Sequence, residues 1–358
     1  MTTAAPQAPA RALAPDLVRA VATVLVVFIH TAGLVAAPGP SQGKAAFWSG
    51  VIYDSLARPG VPLFVMLTGW LLLDPGRRIE SIGVFLWKRL GRVVLPLVTW
   101  SVIAFGWLAV RDHRPADWTQ FPRQLANGPV FYHLWYVYLL VGLYFVVPLL
   151  RPLAAQTSEA VRRYALGLWV LASSLLPLWY WWGGPHIGVD VPVVTTYVGY
   201  LLAGCWLAAL PVSPRTLRTL GLLAVLTAIW TITASVRLTG TEPLNVVLFA
   251  YGTPNVLVMS VGWYVLLTQP GPTAWVTRHA GVQVLVRALA ATSYGVYLVH
   301  PLLLNLMDSG VLGFRITGAS IYAPIGIPLL VVVVLAGSVG LMLVAGRVPY
   351  LGRLLGAR

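Results

Sequence analysis

Apolar residues along this chain gather into about ten long runs, at 14–36, 47–73, 93–110, 134–150, 164–182, 193–210, 219–236, 246–267, 291–310 and 324–345, divided by short polar stretches. Crossing the hydrocarbon of a bilayer as a helix takes about 20 apolar residues. A backbone facing lipid must satisfy its own hydrogen bonds, which leaves helices or a closed barrel. A barrel strand alternates in and out, whereas these runs are continuous, so the barrel is excluded. The pattern therefore predicts an all-α, polytopic membrane helix bundle of about ten transmembrane helices. The runs at 93–110 and 134–150 are short and are expected to extend into their flanks. Pro59, Gly60 and Pro62 predict a break inside the second run.

Composition agrees with that pattern. Of 358 residues, 58% are hydrophobic and 9% are charged, where a soluble domain carries about 25% charged residues. An ordinary soluble enzyme, a disordered chain and a disulfide-stapled secreted domain are excluded. The single cysteine, Cys205, lies within an apolar run and has no intrachain partner. Residues 1–12 read as a loose cytoplasmic tail, 13–346 as one transmembrane domain, and 347–358 as a short basic cytoplasmic tail. The net charge of +14 changes meaning once it is placed on the spans. With the N-terminus inside, most of the 24 basic residues fall on inner segments, including Arg19, Lys88, Arg89 and Arg92. That bias predicts both termini in the cytoplasm. No basic run is interleaved with aromatics, so no nucleic-acid partner is expected. Twenty-two arginines against two lysines suggest a GC-rich bacterial genome, hence a multi-pass protein of a bacterial inner membrane.

Ionisable groups at membrane depth cost several kcal/mol unless paired or wet, so they are candidates for function. Four stand out: His30, Arg58, His133 and His300. Arg19 precedes His30 by 11 residues, which is about 16.5 Å and close to three turns of one helix, so both share a stripe. Asp16 can pair with Arg19, and the pair could equally be an interfacial anchor. Asp54 can pair with Arg58, four residues on, beside the predicted break; this could be a structural salt bridge at a wet kink. His133, Trp135 and Tyr136 open the fourth run, where an aromatic belt is the plain alternative. His300 precedes Pro301, whose missing N–H leaves the Tyr297 carbonyl without its usual donor. There His300 either lines a polar pocket or bonds a neighbouring helix. Lys88, Arg89 and Arg92 suit the phosphates of a cytoplasmic donor, or are ordinary inside charge. No zinc-ligand spacing, serine elbow or phosphate loop occurs, so no metal is expected.

These segments together resemble a known family. Asp16-Leu-Val-Arg19, followed after ten residues by His30, is similar to the opening helix of the membrane acyltransferase-3 family, whose hallmark is Arg, ten residues, then His. Val61 to Leu73, with Thr68-Gly69-Trp70, resembles its second-helix signature with a mild departure from the usual Ser-Gly-Tyr or Ser-Gly-Phe. His133-Leu-Trp-Tyr and Ser293-Tyr-Gly-Val-Tyr-Leu-Val-His300-Pro301 resemble two later helices. The likeness covers about residues 12–345 and lacks the fused extracytoplasmic domain of some relatives. It implies a ten-helix core that moves an acyl group, usually acetyl, from cytoplasmic acyl-CoA to a hydroxyl of an extracytoplasmic or membrane-bound acceptor such as a glycan. On the resemblance His30 is the catalytic histidine, Arg19 holds the donor, and Arg58 stabilises the developing charge or seats the donor. Lys88, Arg89 and Arg92 would attract the CoA phosphates, and Asp54, His133, Trp135, Tyr136 and His300 would contact the acceptor. The rival class is a transporter or flippase of a glycan or lipid intermediate, weakened because no two halves with matching broken helices are visible.

Overall fold

A computed structural model describes residues 8–76, 80–184, 194–208 and 210–357; Arg77 and Arg78 therefore lie outside it. Every regular element among the described residues is helical. In chain order these are α1 (Ala8–Ala36), α2 (Lys44–Ala57), α3 (Gly60–Leu73), α4 (Ile82–Arg111), α5 (Phe121–Asn127), α6 (Trp135–Gln156), α7 (Glu159–Val170), α8 (Leu176–Trp181), α9 (Val194–Leu207), α10 (Pro214–Thr239), α11 (Pro254–Thr268), α12 (Pro270–Arg278), α13 (Ala280–Asp308), α14 (Ala323–Ala345) and α15 (Pro349–Leu354). Among the described residues eight stretches are long and apolar enough to cross a membrane. They are α1, α2 with α3, α4, α6, α7 with α8, α10, α13 and α14. The other two expected spans, 193–210 and 246–267, correspond to the shorter helices α9 and α11, of 14 and 15 residues. As expected, the short runs lengthen: α4 begins at Ile82, and α6 ends at Gln156.

Local chemistry sets the helix boundaries. Ser81, Ser158 and Ser213 each turn a hydroxyl back to accept from the backbone N–H three residues on, which satisfies one of the orphan donors of a helix start. Pro214 and Pro254 occupy first-turn positions, where their missing N–H costs nothing. Pro59 ends the α2 segment, as predicted: Arg58 and Pro59 form the turn between α2 and α3. Between α7 and α8 the helix widens into a π turn, Leu171–Leu175, with the Leu176 N–H reaching the Leu171 carbonyl. Pro177 accounts for this, because it cannot donate to residue 173 and its ring crowds that carbonyl.

The chain forms two compact units, and the division falls within α6 and α13. The first comprises residues 1–77 and 150–290. Its centre is the antiparallel pair α1 and α2, with α3 packed on both α1 and α9, and α10 on α11. The crossing of α3 and α9 is close. Gly69 lies on the Leu201 carbonyl and Gly204 on the Met66 backbone, so a Cβ at either would collide with main chain. Small residues at such crossings are how membrane helices gain contact, since lipid supplies no hydrophobic drive between them.

The second unit comprises residues 78–149 and 291–358. Side chains from one helix reach backbone or amide oxygens of another throughout it. The Tyr294 hydroxyl donates to the Val93 carbonyl at 3.1 Å. The Trp100 indole N–H donates to the Leu355 carbonyl at 3.2 Å, and that of Trp107 to Asn305 Oδ1 at 2.7 Å.

Candidate functional site

In the first unit, α1 carries both Arg19 and His30 and is continuous between them, so the shared stripe read from spacing holds. Arg19 pairs with Asp16 at 3.5 Å, and both remain partly exposed. His30 is half-buried. The register of α1 against the next helices fixes its depth. Gly33 lies beside the Asp54 carboxylate, and Leu25 and Val26 lie against Gly60. His30 falls between those contacts on α1, as Arg58 falls between Asp54 and Gly60. The hairpin therefore sets His30 and Arg58 at one depth.

Arg58 sits at the α2–α3 break and is tied down from several directions. Its Nη2 pairs with Asp54, whose side chain is 1% exposed. Its Nη1 donates to the Phe249 carbonyl at 3.3 Å. Its guanidinium carbon lies 4.5 Å from the centre of the Phe249 ring, a cation–π contact. Two polar atoms are left buried without partners among the described residues: Arg58 Nε and Asp54 Oδ1. Buried donors and acceptors are almost always satisfied, so such a pair of orphans marks a place where a ligand or water belongs.

Phe249 was not legible as a site residue. It belongs to the irregular stretch between α10 and α11, inside what hydropathy alone reads as a span from 246. Non-helical backbone at membrane depth is tolerated only where protein or water satisfies it. Here protein does so. Asn255 Nδ2 donates to the Leu248 carbonyl at 2.8 Å, Arg58 to that of Phe249, and the Tyr200 hydroxyl to that of Tyr251 at 2.8 Å. Ser174, on the π turn, donates to the Gly252 carbonyl. The available signal was Gly252-Thr253-Pro254, a helix-start signature that places the helix boundary at 254.

In the second unit His133 and His300 form a buried pair with ring centres 6.0 Å apart. They are 1% and 0% exposed. His133 Nε2 lies 3.2 Å from the Leu298 carbonyl. A carbonyl only accepts, so Nε2 carries the proton and Nδ1 holds a lone pair. That Nδ1 is buried with no partner among the described residues. The Tyr297 hydroxyl donates in return to the His133 carbonyl. His300 has its Nδ1 2.9 Å from the Val296 carbonyl of its own helix. The helix α13 runs on through Pro301.

Tyr136 is buried against Tyr297, ring centres 5.4 Å apart, which does not fit a lipid-facing belt; Trp135 is half-buried. Lys88 is exposed and held by Glu80 at 2.7 Å. Arg89 lies over the Phe85 ring at 5.8 Å, and Arg92 is exposed. Among the described residues no three His, Cys, Asp or Glu side chains are grouped to hold a metal ion.

A family model described as an acyltransferase domain, acyltransferase-3, matches residues 13–346. The chain belongs to the acyltransferase-3 family. The match runs from the first turns of α1 to the end of α14, so this acyltransferase takes in both compact units, with Arg19, His30, Arg58, His133 and His300 all inside the matched region. Comparisons with curated proteins and with solved structures return no match.

Proposed function

We propose that this membrane acyltransferase moves an acyl group, acetyl in the first instance, from cytoplasmic acyl-CoA to a hydroxyl of an extracytoplasmic or membrane-associated glycan. The observation that supports the reading is the shared depth of His30 and the Asp54–Arg58 pair along the α1–α2 hairpin. His30 acts as general base. It takes the proton of the acceptor hydroxyl as the oxygen attacks the thioester carbonyl. The C–S bond then breaks, and the proton passes from His30 to the CoA thiolate. Arg58, whose Nε–H is buried and unpartnered among the described residues, supplies the donor for the oxyanion that develops on the carbonyl. Asp54 Oδ1 is the matching acceptor for a neighbouring hydroxyl of the glycan.

Arg19, on the His30 stripe, orients the donor. Lys88, Arg89 and Arg92 draw the CoA phosphates to the cytoplasmic face. The His133 Nδ1 lone pair, with His300, Trp135 and Tyr136, serves acceptor hydroxyls in the second unit.

The test is release of free CoA from acetyl-CoA by purified protein in nanodiscs with a mixed glycan panel, comparing the wild type with His30→Ala. Release that needs both His30 and an acceptor supports the reading. Unchanged release by His30→Ala sinks the role of His30. Neither CoA binding nor release in the wild type turns the assignment toward transport of a glycan or lipid intermediate.

A further inference from the structure

Arg58 has a long, flexible stem, and a guanidinium left to wander stabilises no transition state. Two of its nitrogens are held, Nη2 by Asp54 and Nη1 by the Phe249 carbonyl. Two bonded ends fix a line, and the group can still rock about it. Nε lies off that line, so rocking would swing its N–H away from the oxyanion it is to meet.

The Phe249 ring supplies the third constraint. The guanidinium carbon lies 4.5 Å from its centre. The negative face of an aromatic ring attracts a cation, most strongly where water is excluded. A ring that holds the central carbon also takes no N–H away, so Nε keeps its unpartnered donor among the described residues. The ring itself is braced. Phe249 is 2% exposed and packs with Ala36 of α1 and with Phe47 and Val51 of α2. Its backbone is braced as well, since the carbonyls of Leu248, Tyr251 and Gly252 accept from Asn255, Tyr200 and Ser174. Filling that cluster calls for an apolar side chain; it does not call for an aromatic face set over a charge.

We infer that Phe249 is a positioning residue whose ring face fixes the Arg58 guanidinium for acyl transfer. The inference rests on the acyltransfer reading and on the role of Arg58 within it. Ring electronics can be varied apart from packing, which gives a distinguishing test. Phenylalanines with one, two or three ring fluorines are installed in place of Phe249 in the full-length protein by nonsense suppression. CoA release from acetyl-CoA is then measured in nanodiscs with the same glycan panel. Fluorine drains charge from the ring face, while the ring keeps nearly its shape and the backbone carbonyl stays in place. Phe47, equally buried in the same cluster, receives the same series as the control for size.

At Phe249 the kcat per folded protein should fall stepwise, by about tenfold over the series, the scale of a weakened buried cation–π contact, with the KM for acetyl-CoA changed less than about twofold. The Phe47 series should stay within about twofold of the wild type. An unchanged kcat across the Phe249 series overturns the inference. So does an equal fall at Phe47, because fluorine size then explains both, and so does a loss confined to KM. A wild type that releases no CoA instead removes the acyltransfer reading, and the inference falls with it.

Discussion

At the scale of single residues, the Asp54–Arg58 pair carries opposite consequences for stability and for chemistry. Removing one partner of a buried ion pair leaves the other charge uncompensated and costs about 3–5 kcal/mol. Replacing both with neutral groups removes that penalty. Arg58→Met should therefore lower the melting temperature in detergent sharply. The double variant Asp54→Asn with Arg58→Met should recover much of the loss while staying inactive. A double variant as unstable as the single would mean the pair is not the source of the cost. The pairing itself was readable, since four residues of helix bring the two side chains together. The rest of the cluster was not. Phe249 lies 191 residues further on, and no local rule links it to Arg58. The bond of His133 to the Leu298 carbonyl is just as remote, spanning 165 residues. Arg19 and His30 were found because they share one helix, where periodicity is arithmetic.

At the scale of elements, hydropathy located the helices because lipid imposes one demand everywhere, and it misread those places where protein meets that demand instead. The stretch before α11 is apolar enough to pass for a span, yet its carbonyls are served by four side chains, Arg58, Ser174, Tyr200 and Asn255. The π turn at Leu171–Leu175 and the break at Pro59 differ in the same way. Proline announces both, but only the tertiary setting decides between a widened turn and a full stop. The α3–α9 crossing gives an element-scale prediction. Gly69→Val forces a side chain into the Leu201 backbone, which cannot move like the end of a flexible side chain. Overpacking costs about 1–3 kcal/mol or more. Thermal unfolding in detergent should show a marked loss for Gly69→Val. Gly91→Ala, on α4 with nothing near its missing Cβ, should melt like the wild type. Equal effects would show that the crossing does not set stability.

At the scale of the whole molecule, the excess of arginine on the expected inner segments carries the expectation that both termini face the cytoplasm. A fluorescent reporter that folds only in the cytoplasm should glow when fused after Arg358, and a phosphatase active only outside should stay silent there. Reversed results would invert the sidedness of Arg19 and Lys88, and with it the direction in which acyl groups are taken to travel.

Cys205 turns that question into a chemical one. It is the sole thiol of 358 residues, and it is buried at 8% exposure within α9. Nature has thus left the chain almost blank to maleimide reagents. New cysteines placed one at a time in each loop, read with membrane-impermeant labels, can chart every crossing in the intact cell without first stripping the protein of its own sulfur.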